Sequence, residues 1–73
     1  MSIFSERLKA LRDDKNLSQK AVSDTLDIAL RNYQRYEYGE REPNLKTALI
    51  LANFFDVSID YLVGRTDNPK INH

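Results

Sequence analysis

Hydrophobic residues recur three or four positions apart along most of this chain, with polar residues between them. Phe4, Leu8 and Leu11 stand at i, i+4 and i+7, with Ile3 beside them. This spacing is typical of one apolar face of a helix. Similar patterns follow up to residue 64, and we therefore predict an all-α fold with five helices.

The second and third helical patterns are short and lie close together. They cover residues 18–26 and about 29–38, and only Asp27 and Ile28 lie clearly between them. Gly39 follows as a C-cap candidate. A link of about three or four residues holds two helices at a steep crossing angle, which is the helix-turn-helix arrangement.

The predicted helix over residues 29–38 has two chemically different sides at about 100° per residue. The first is mainly aromatic and is expected to be buried: Tyr33, Tyr36 and Glu37. The second is long, polar and basic: Arg31, Gln34, Arg35 and Tyr38. An α-helix fits the major groove of B-DNA, where Arg can contact guanine with two hydrogen bonds. The alternative is a solvated helix face with ordinary charges.

Glu37 is expected between buried aromatic residues, where an unpaired carboxylate is costly. Arg12, near the end of the first helix, is a candidate partner. Such an ion pair would tie the first helix to the third. The alternative is that the carboxylate of Glu37 reaches water.

Two further helices complete the predicted core. The fourth is expected to begin after the cap Asn44 and to place one apolar face on the core: Leu45, Ala48, Leu51, Ala52 and Phe55. The fifth is short, capped by Ser58, and ends at Gly64. Residues 65–73 are polar and are predicted to form a loose tail. We expect one domain over residues 1–64.

Some apolar residues are not needed by this core. Ile50 and Phe54 project about 160° from the middle of the core face of the fourth helix. Exposed apolar clusters on small proteins often mark interfaces. The predicted dimer interface therefore comprises Ile50, Phe54, Tyr61 and Val63. The alternative is that the fifth helix or the tail covers Ile50 and Phe54.

Composition narrows the class of protein. The 73 residues suffice for one small core. There is no cysteine, and the single histidine, His73, has no other metal-ligating residue near it in the sequence. We therefore expect no metal site and no cofactor. The 11 basic and 11 acidic residues cancel, which leaves local clustering to decide the surface field.

Other classes of function find little support in the sequence. No Gly-rich phosphate loop or paired catalytic spacing occurs, so an enzyme is not predicted and no small-molecule ligand is evident. No apolar run approaches the length of a membrane span. We expect no signal peptide before the domain. We therefore expect a cytoplasmic protein.

Three stretches together resemble the phage-repressor and Cro-type helix-turn-helix domain, the XRE group. They are LSQ at residues 17–19, RYE–GER–P over residues 35–43 and VSIDYLVG over residues 57–64. The resemblance covers roughly residues 4–64 and implies a five-helix lambda-repressor-like DNA-binding domain. The chain departs from the family where Ser23 replaces the usual Ala, Asp27 the usual Gly, and Ala29 the usual capping Ser or Thr.

The resemblance implies a base-reading role for the start of the third helix. Leu30, Arg31, Asn32 and Arg35 fall on the reading positions of the family, and Gln34 lies on the same side. Arg31 and Arg35 could read guanine, Asn32 could contact adenine or a phosphate, and Leu30 could pack on a thymine methyl group. The family also joins the positions of Arg12 and Glu37 by an ion pair.

Phosphate contacts would position this helix on the duplex. Ser18 and Gln19 stand where the dipole and free N–H groups of the second helix favour an anion, and the Gln19 side chain is expected to face outward. The candidates on the other side are Tyr38, Arg41, Asn44 and Lys46. Glu40 and Glu42 weaken the positive field there.

These features predict a transcriptional regulator that binds double-stranded DNA sequence-specifically, as a repressor acting by operator occupancy. The resemblance implies a homodimer that meets through the fourth and fifth helices on a palindromic operator. The alternative is a protein-interaction module of the same fold, an antitoxin-like partner binder that uses Ile50 and Phe54. Salt-dependent binding to duplex DNA would separate the two.

Overall fold

Five helices joined by short turns form this protein in a computed structural model, which describes residues 2–71. They are α1 (Ile3–Asp14), α2 (Gln19–Thr25), α3 (Leu30–Glu37), α4 (Leu45–Phe54) and α5 (Ile59–Leu62). No strand occurs within residues 2–71. The all-α, five-helix prediction is confirmed, and the caps flanking α2 and α3 reproduce the predicted bounds 18–26 and 29–38.

Side-chain caps begin four of the five helices. The capping residues are Ser2, Ser18, Asn44 and Ser58, and each accepts from a backbone N–H three residues later, at 2.8–3.2 Å. This bond satisfies one of the unpaired donors at a helix start. By contrast, α3 begins after Ala29, which provides no side-chain cap, as the sequence indicated.

All five helices end in the same chain reversal. The residue after each C-cap adopts a left-handed conformation, and its N–H and the next N–H bond back into the last helical turn. These residues are Asn16, Asp27, Gly39, Asp56 and Gly64, with φ between 54° and 87°. Asn and Asp are among the side chains that tolerate this conformation best. The reversals keep every connection short.

One core unites the five helices. α1 packs against α3 and α5, α2 against α3, and α4 against α5. The fully buried apolar side chains are Leu8, Val22, Tyr33, Leu51 and Leu62. Burying such side chains contributes about 1.5–3 kcal/mol each, so a domain of this size depends on every one of them.

The structure corrects two predictions for α4. Leu45 is 70% exposed and does not belong to the core face, because it opens the first turn of α4, where no other helix covers it. Phe54, predicted to project away, is half-buried against the core and meets Phe55 edge-on, with ring centroids 4.9 Å apart. A helical wheel gives the direction of a side chain but not what lies in that direction.

The C-terminal segment, residues 65–71, lies against the domain and is not loose as predicted. Arg7 donates hydrogen bonds to the carbonyl oxygens of Tyr61 and Thr66 and, at 2.8 Å, to the carboxylate of Asp67. Its guanidinium carbon lies 4.1 Å from the centre of the Tyr61 ring. Tyr61, predicted in the exposed dimer patch, is therefore half-buried beneath Arg7.

A backbone hydrogen bond also holds the segment near α5. The backbone N–H of Ser58 donates to the carbonyl oxygen of Pro69 at 3.0 Å. Ile71 and Leu49 line the cleft that results between α4 and the segment. The predicted tail extends further, to residue 73, and His73 lies outside the described residues.

Candidate nucleic-acid interface

The turn between α2 and α3 determines the orientation of α3 relative to α2. Asp27 turns the chain with φ 54°, and the N–H of Ile28 donates to the carbonyl oxygen of Ser23 at 2.9 Å. Ser23 is fully buried, and its hydroxyl donates to the carbonyl oxygen of Lys20 at 3.0 Å. Both departures from the usual family residues are thus accommodated without leaving a buried side-chain polar atom unpaired.

The two sides of α3 differ in burial as the sequence predicted. The buried side consists of Tyr33, Tyr36 and Glu37. The exposed residues of the opposite side are Leu30, Arg31 and Tyr38, and the half-buried ones are Asn32, Gln34 and Arg35. A helix held on one side and open on the other is suited to entering a groove.

A buried ion pair fixes α3 to α1. Arg12 Nε and Nη2 donate to Glu37 Oε2 and Oε1 at 2.6 and 3.0 Å, and Arg12 Nη1 donates to the carbonyl oxygen of Leu17 at 2.8 Å. The Tyr33 hydroxyl donates to Glu37 Oε2 at 2.5 Å. This last contact was missed in the sequence, although the i, i+4 spacing of Tyr33 and Glu37 on one helix was a signal for it.

The carboxylate of Glu37 is held in its charged form. Burial alone would raise its pKa, but hydrogen bonds from Arg12, Tyr33 and Gln19 outweigh that effect and leave the pKa below its ordinary value. The hydrogen bond to Glu37 raises the pKa of Arg12. Burial raises the pKa of Tyr33, and its bond to Glu37 raises it further. The pair therefore stays ionised at neutral pH.

Gln19 corrects another prediction, because its side chain faces inward. Its Nε2 donates to Glu37 Oε1 at 3.1 Å, and its Oε1 accepts from Gln34 Nε2 at 3.2 Å. Gln19 turns inward because its amide forms a hydrogen bond with the buried carboxylate of Glu37. Hydrophobic periodicity along the sequence does not reveal such a contact. Gln34, expected among the base readers, is likewise bonded within the protein.

Charge is distributed unevenly despite the zero net charge. Within residues 2–71, five basic side chains lie within 4.0 Å of a carboxylate: Arg7, Lys9, Arg12, Lys20 and Arg65. The basic side chains of this part without such a partner include Arg31, Arg35, Arg41 and Lys46, which lie on α3 or between it and the first turn of α4. Glu40 and Glu42 are the acidic residues there that remain unpaired.

The candidate phosphate contacts fall into two groups. Tyr38, Arg41 and Lys46 are exposed. Ser18 and Asn44 are exposed as well, but their side-chain oxygens accept from the N–H groups of their own helices. These bonds leave the donors of both side chains unused, the Ser18 hydroxyl hydrogen and the Asn44 NH₂ group, so both residues remain able to donate to a phosphate oxygen.

The predicted dimer residues do not form one patch. Ile50 is 36% and Val63 44% exposed, whereas Phe54 and Tyr61 pack on the core. Val63 lines a shallow groove with Ile3 and the start of α4, and neither Ile50 nor Phe54 borders it.

Within residues 2–71, no three potential metal-ligating side chains come together. None of the five helices has both the length and the apolar character needed to cross a bilayer.

The sequence profile described as helix-turn-helix matches residues 8–62. The uncharacterized HTH-type transcriptional regulator YqaE of Bacillus subtilis (strain 168) is 44% identical over 69 residues, 94% of this chain and 60% of that protein. The SPbeta prophage-derived regulator YonR of the same organism is 44% identical over 64 residues, which are 88% of this chain and 59% of that protein.

A phage repressor is also similar. The cryptic phage CTXphi transcriptional repressor RstR of Vibrio cholerae serotype O1 is 37% identical over 62 residues, which are 85% of this chain and 55% of that protein. The chain thus spans about three-fifths of the length of these relatives, or slightly less.

Proposed function

The chain belongs to the helix-turn-helix family, and from that premise we propose that it is a transcriptional regulator that binds double-stranded DNA sequence-specifically through α3. The observation that carries the proposal is the open side of α3, where Arg31 and Arg35 have no carboxylate partner within residues 2–71. The helix that bears them is fixed from behind by the Arg12–Glu37 pair.

Base reading is assigned to the start and middle of α3. Arg31 and Arg35 present guanidinium groups suited to the O6 and N7 acceptors of guanine. Asn32 is suited to adenine and Leu30 to a thymine methyl group. These four residues lie on the open side, with Leu30 and Arg31 exposed.

Contacts with the DNA phosphate backbone are assigned to residues on both sides of α3. Arg41 and Lys46 supply unpaired charge after the helix, with Tyr38 and Asn44 beside them. The candidates at the start of α2 are Ser18 and Gln19. The Gln19 NH₂ group donates one hydrogen to Glu37, and its second N–H is the donor left for a phosphate. The nearby Glu40 and Glu42 limit the positive field, so we expect modest affinity for unrelated sequences.

We infer that the regulator acts as a repressor by occupying its operator, and the similar protein RstR is named a transcriptional repressor. One copy of α3 covers only a few base pairs, and two copies on a palindrome would read half-sites about one helical turn apart. The exposed Ile50 supports a homodimer through α4. The protein-interaction alternative is less favoured, because the relatives are named transcriptional regulators.

Selection of bound sites from random duplex DNA tests the proposal. Arg31→Ala and Arg35→Ala should each lose about 1–3 kcal/mol of discrimination at one base pair. Lys46→Ala should weaken all duplexes alike and make the salt slope shallower by about one. Lys9→Ala is the matched control, because Lys9 is exposed on α1 and paired with Asp13. Unchanged sequence preference in both Arg variants would exclude α3 as the reading element.

A further inference from the structure

Two glutamine amides join α2 to α3 beside the buried ion pair. Gln19 Nε2 donates to Glu37 Oε1 at 3.1 Å, and Gln34 Nε2 donates to Gln19 Oε1 at 3.2 Å. Glu37 is 1% exposed, whereas both glutamines are half-buried. The hydrogen bonds therefore run from the buried carboxylate out to the open side of α3.

The carboxylate of Glu37 determines which group donates in each bond of the series Gln34–Gln19–Glu37. An ionised carboxylate can only accept hydrogen bonds, and Glu37 already accepts from Arg12 and Tyr33. Gln19 must therefore turn its NH₂ group towards Glu37, which leaves its carbonyl oxygen facing α3. The side chain at position 34 must then be a donor for the series to continue, and Gln34 is one.

We propose that Gln34 is a positioning residue for DNA binding and does not itself read a base. By donating to Gln19, it fixes the open side of α3 against α2, just as Glu37 fixes the buried side against α1. This inference rests on the proposed function. It also separates Gln34 from Arg31 and Arg35, whose side chains make no hydrogen bond within residues 2–71.

The properties of α3 explain why such a bond matters. The helix has only eight residues and no side-chain cap at its start. Helices this short are not stable by themselves in water, so their orientation depends on tertiary contacts. Without the bond, α3 would spend part of its time in other orientations, and the fraction of the protein that is competent to bind DNA would fall, which lowers the affinity for every duplex by the same factor.

The test uses Gln34→Met, which keeps the length and neutrality of the side chain and removes the donor. In the free protein, the side-chain amide resonances of Gln19 should shift in this variant. On DNA, the affinity for every duplex should fall by the same factor, about two- to tenfold, the effect of one neutral hydrogen bond. The base preference at each position should stay unchanged.

A double-mutant cycle and a neighbouring control sharpen the result. Gln19→Met combined with Gln34→Met should weaken binding no more than Gln19→Met alone, because both remove the same bond. Arg35→Met, one residue further along α3, should instead change the preference at one base pair. Additive losses, or a changed preference in Gln34→Met, would overturn the inference.

The failure of the proposed function would look different. A wild-type protein that binds no duplex DNA, even at low salt, would contradict DNA binding itself. The amide resonances of free Gln34→Met are measured without DNA, so unshifted Gln19 signals would contradict the positioning bond in either case.

Discussion

The most consequential single residue is Glu37, which joins α1, α2 and α3 through one carboxylate. Its two oxygens accept from Arg12, Tyr33 and Gln19, so all its donors converge on a side chain that is almost inaccessible to water. A buried pair of this kind need not add net stability relative to apolar residues, but breaking it leaves an uncompensated charge.

Glu37→Gln should lower the free energy of unfolding by about 3–5 kcal/mol, because it leaves the charged Arg12, whose side chain is only 12% exposed, beside a neutral amide. Urea denaturation followed by circular dichroism measures the change. Glu40→Gln is the matched control, since Glu40 is exposed and makes no ion pair within residues 2–71. An unchanged midpoint in Glu37→Gln would contradict a buried pair.

Acid should destabilise the protein through the same carboxylate. The native pKa of Glu37 is lowered, because donors from Arg12 and Tyr33 outweigh its burial. Its contribution is therefore fully present above the unfolded-state pKa of about 4.3 and is lost as the pH falls through the lower native pKa. Urea midpoints from about pH 6 down to pH 2 should fall more steeply for wild type than for Glu37→Gln. Parallel curves would argue against the shift.

Among the elements, α3 begins with the weakest local signal. Ala29 offers no side-chain oxygen to the first turn, unlike the caps of the other four helices. Its start depends on packing, and its end depends on the reversal at Gly39. The helix that is proposed to read DNA is thus the one least supported by its own sequence.

Ala29→Ser should stabilise the protein by about 0.5–2 kcal/mol, since a serine hydroxyl can accept from the first turn of α3. Thermal unfolding measures the gain. Ala10→Ser, at an exposed site inside α1, is the control and should cost about 0.5 kcal/mol through helix propensity. A loss in Ala29→Ser would mean that the turn between α2 and α3 cannot admit the hydroxyl.

Elements were predictable from the sequence where local chemistry specifies them. Ser18, Asn44 and Ser58 mark helix starts by capping, and Asp27 and Gly39 tolerate the left-handed turns, so the helix bounds could be read in advance. The buried side of α3 followed from its periodicity. These signals lie within a few residues of the feature that they predict.

Contacts between distant residues were harder to predict. Gln19 turns inward because a carboxylate from another helix attracts it, and Phe54 is covered because the core reaches it. Residues 65–71 are held mainly through backbone carbonyl groups, which every residue possesses and no side-chain pattern reveals. Leu45 shows the opposite case, an apolar position that nothing covers.

At the scale of the whole molecule, Arg7 holds the C-terminal segment to the helical domain. Arg7→Met keeps most of the packing on Tyr61 but removes the donors to Thr66 and Asp67. Amide hydrogen exchange of Arg65, Asn68 and Lys70, whose N–H groups are hydrogen-bonded, should then accelerate about tenfold or more, because bonds from a charged donor contribute about 1.5–3 kcal/mol.

The control for this change is Arg65→Met. Arg65 Nη1 lies 3.6 Å from Asp60 Oδ1, and both side chains are exposed to water. The loss of this surface ion pair should leave amide exchange in the segment nearly unchanged. Equal exchange rates in Arg7→Met and wild type would mean that the segment is held by other contacts.

The proposed homodimer is also a property of the whole molecule. Ile50→Lys should convert a dimer to a monomer in sedimentation and weaken binding to a palindromic duplex, because it places a charge on the exposed back of α4. Leu45→Lys is a matched apolar-to-charged change on the same helix and should leave the dimer intact. A wild type that remains monomeric at high concentration, both free and on the palindrome, would rule the dimer out.

The separation of the two sides of α3 affects how this protein can change over time. On α3, the residues that hold the fold and the residues proposed to read DNA are different sets on opposite sides of eight residues. Substitutions at Leu30, Arg31, Asn32 and Arg35 remove no buried contact, and surface changes of this kind typically cost within about 0.5 kcal/mol. Target preference can therefore drift, or be re-engineered, while the scaffold is inherited intact.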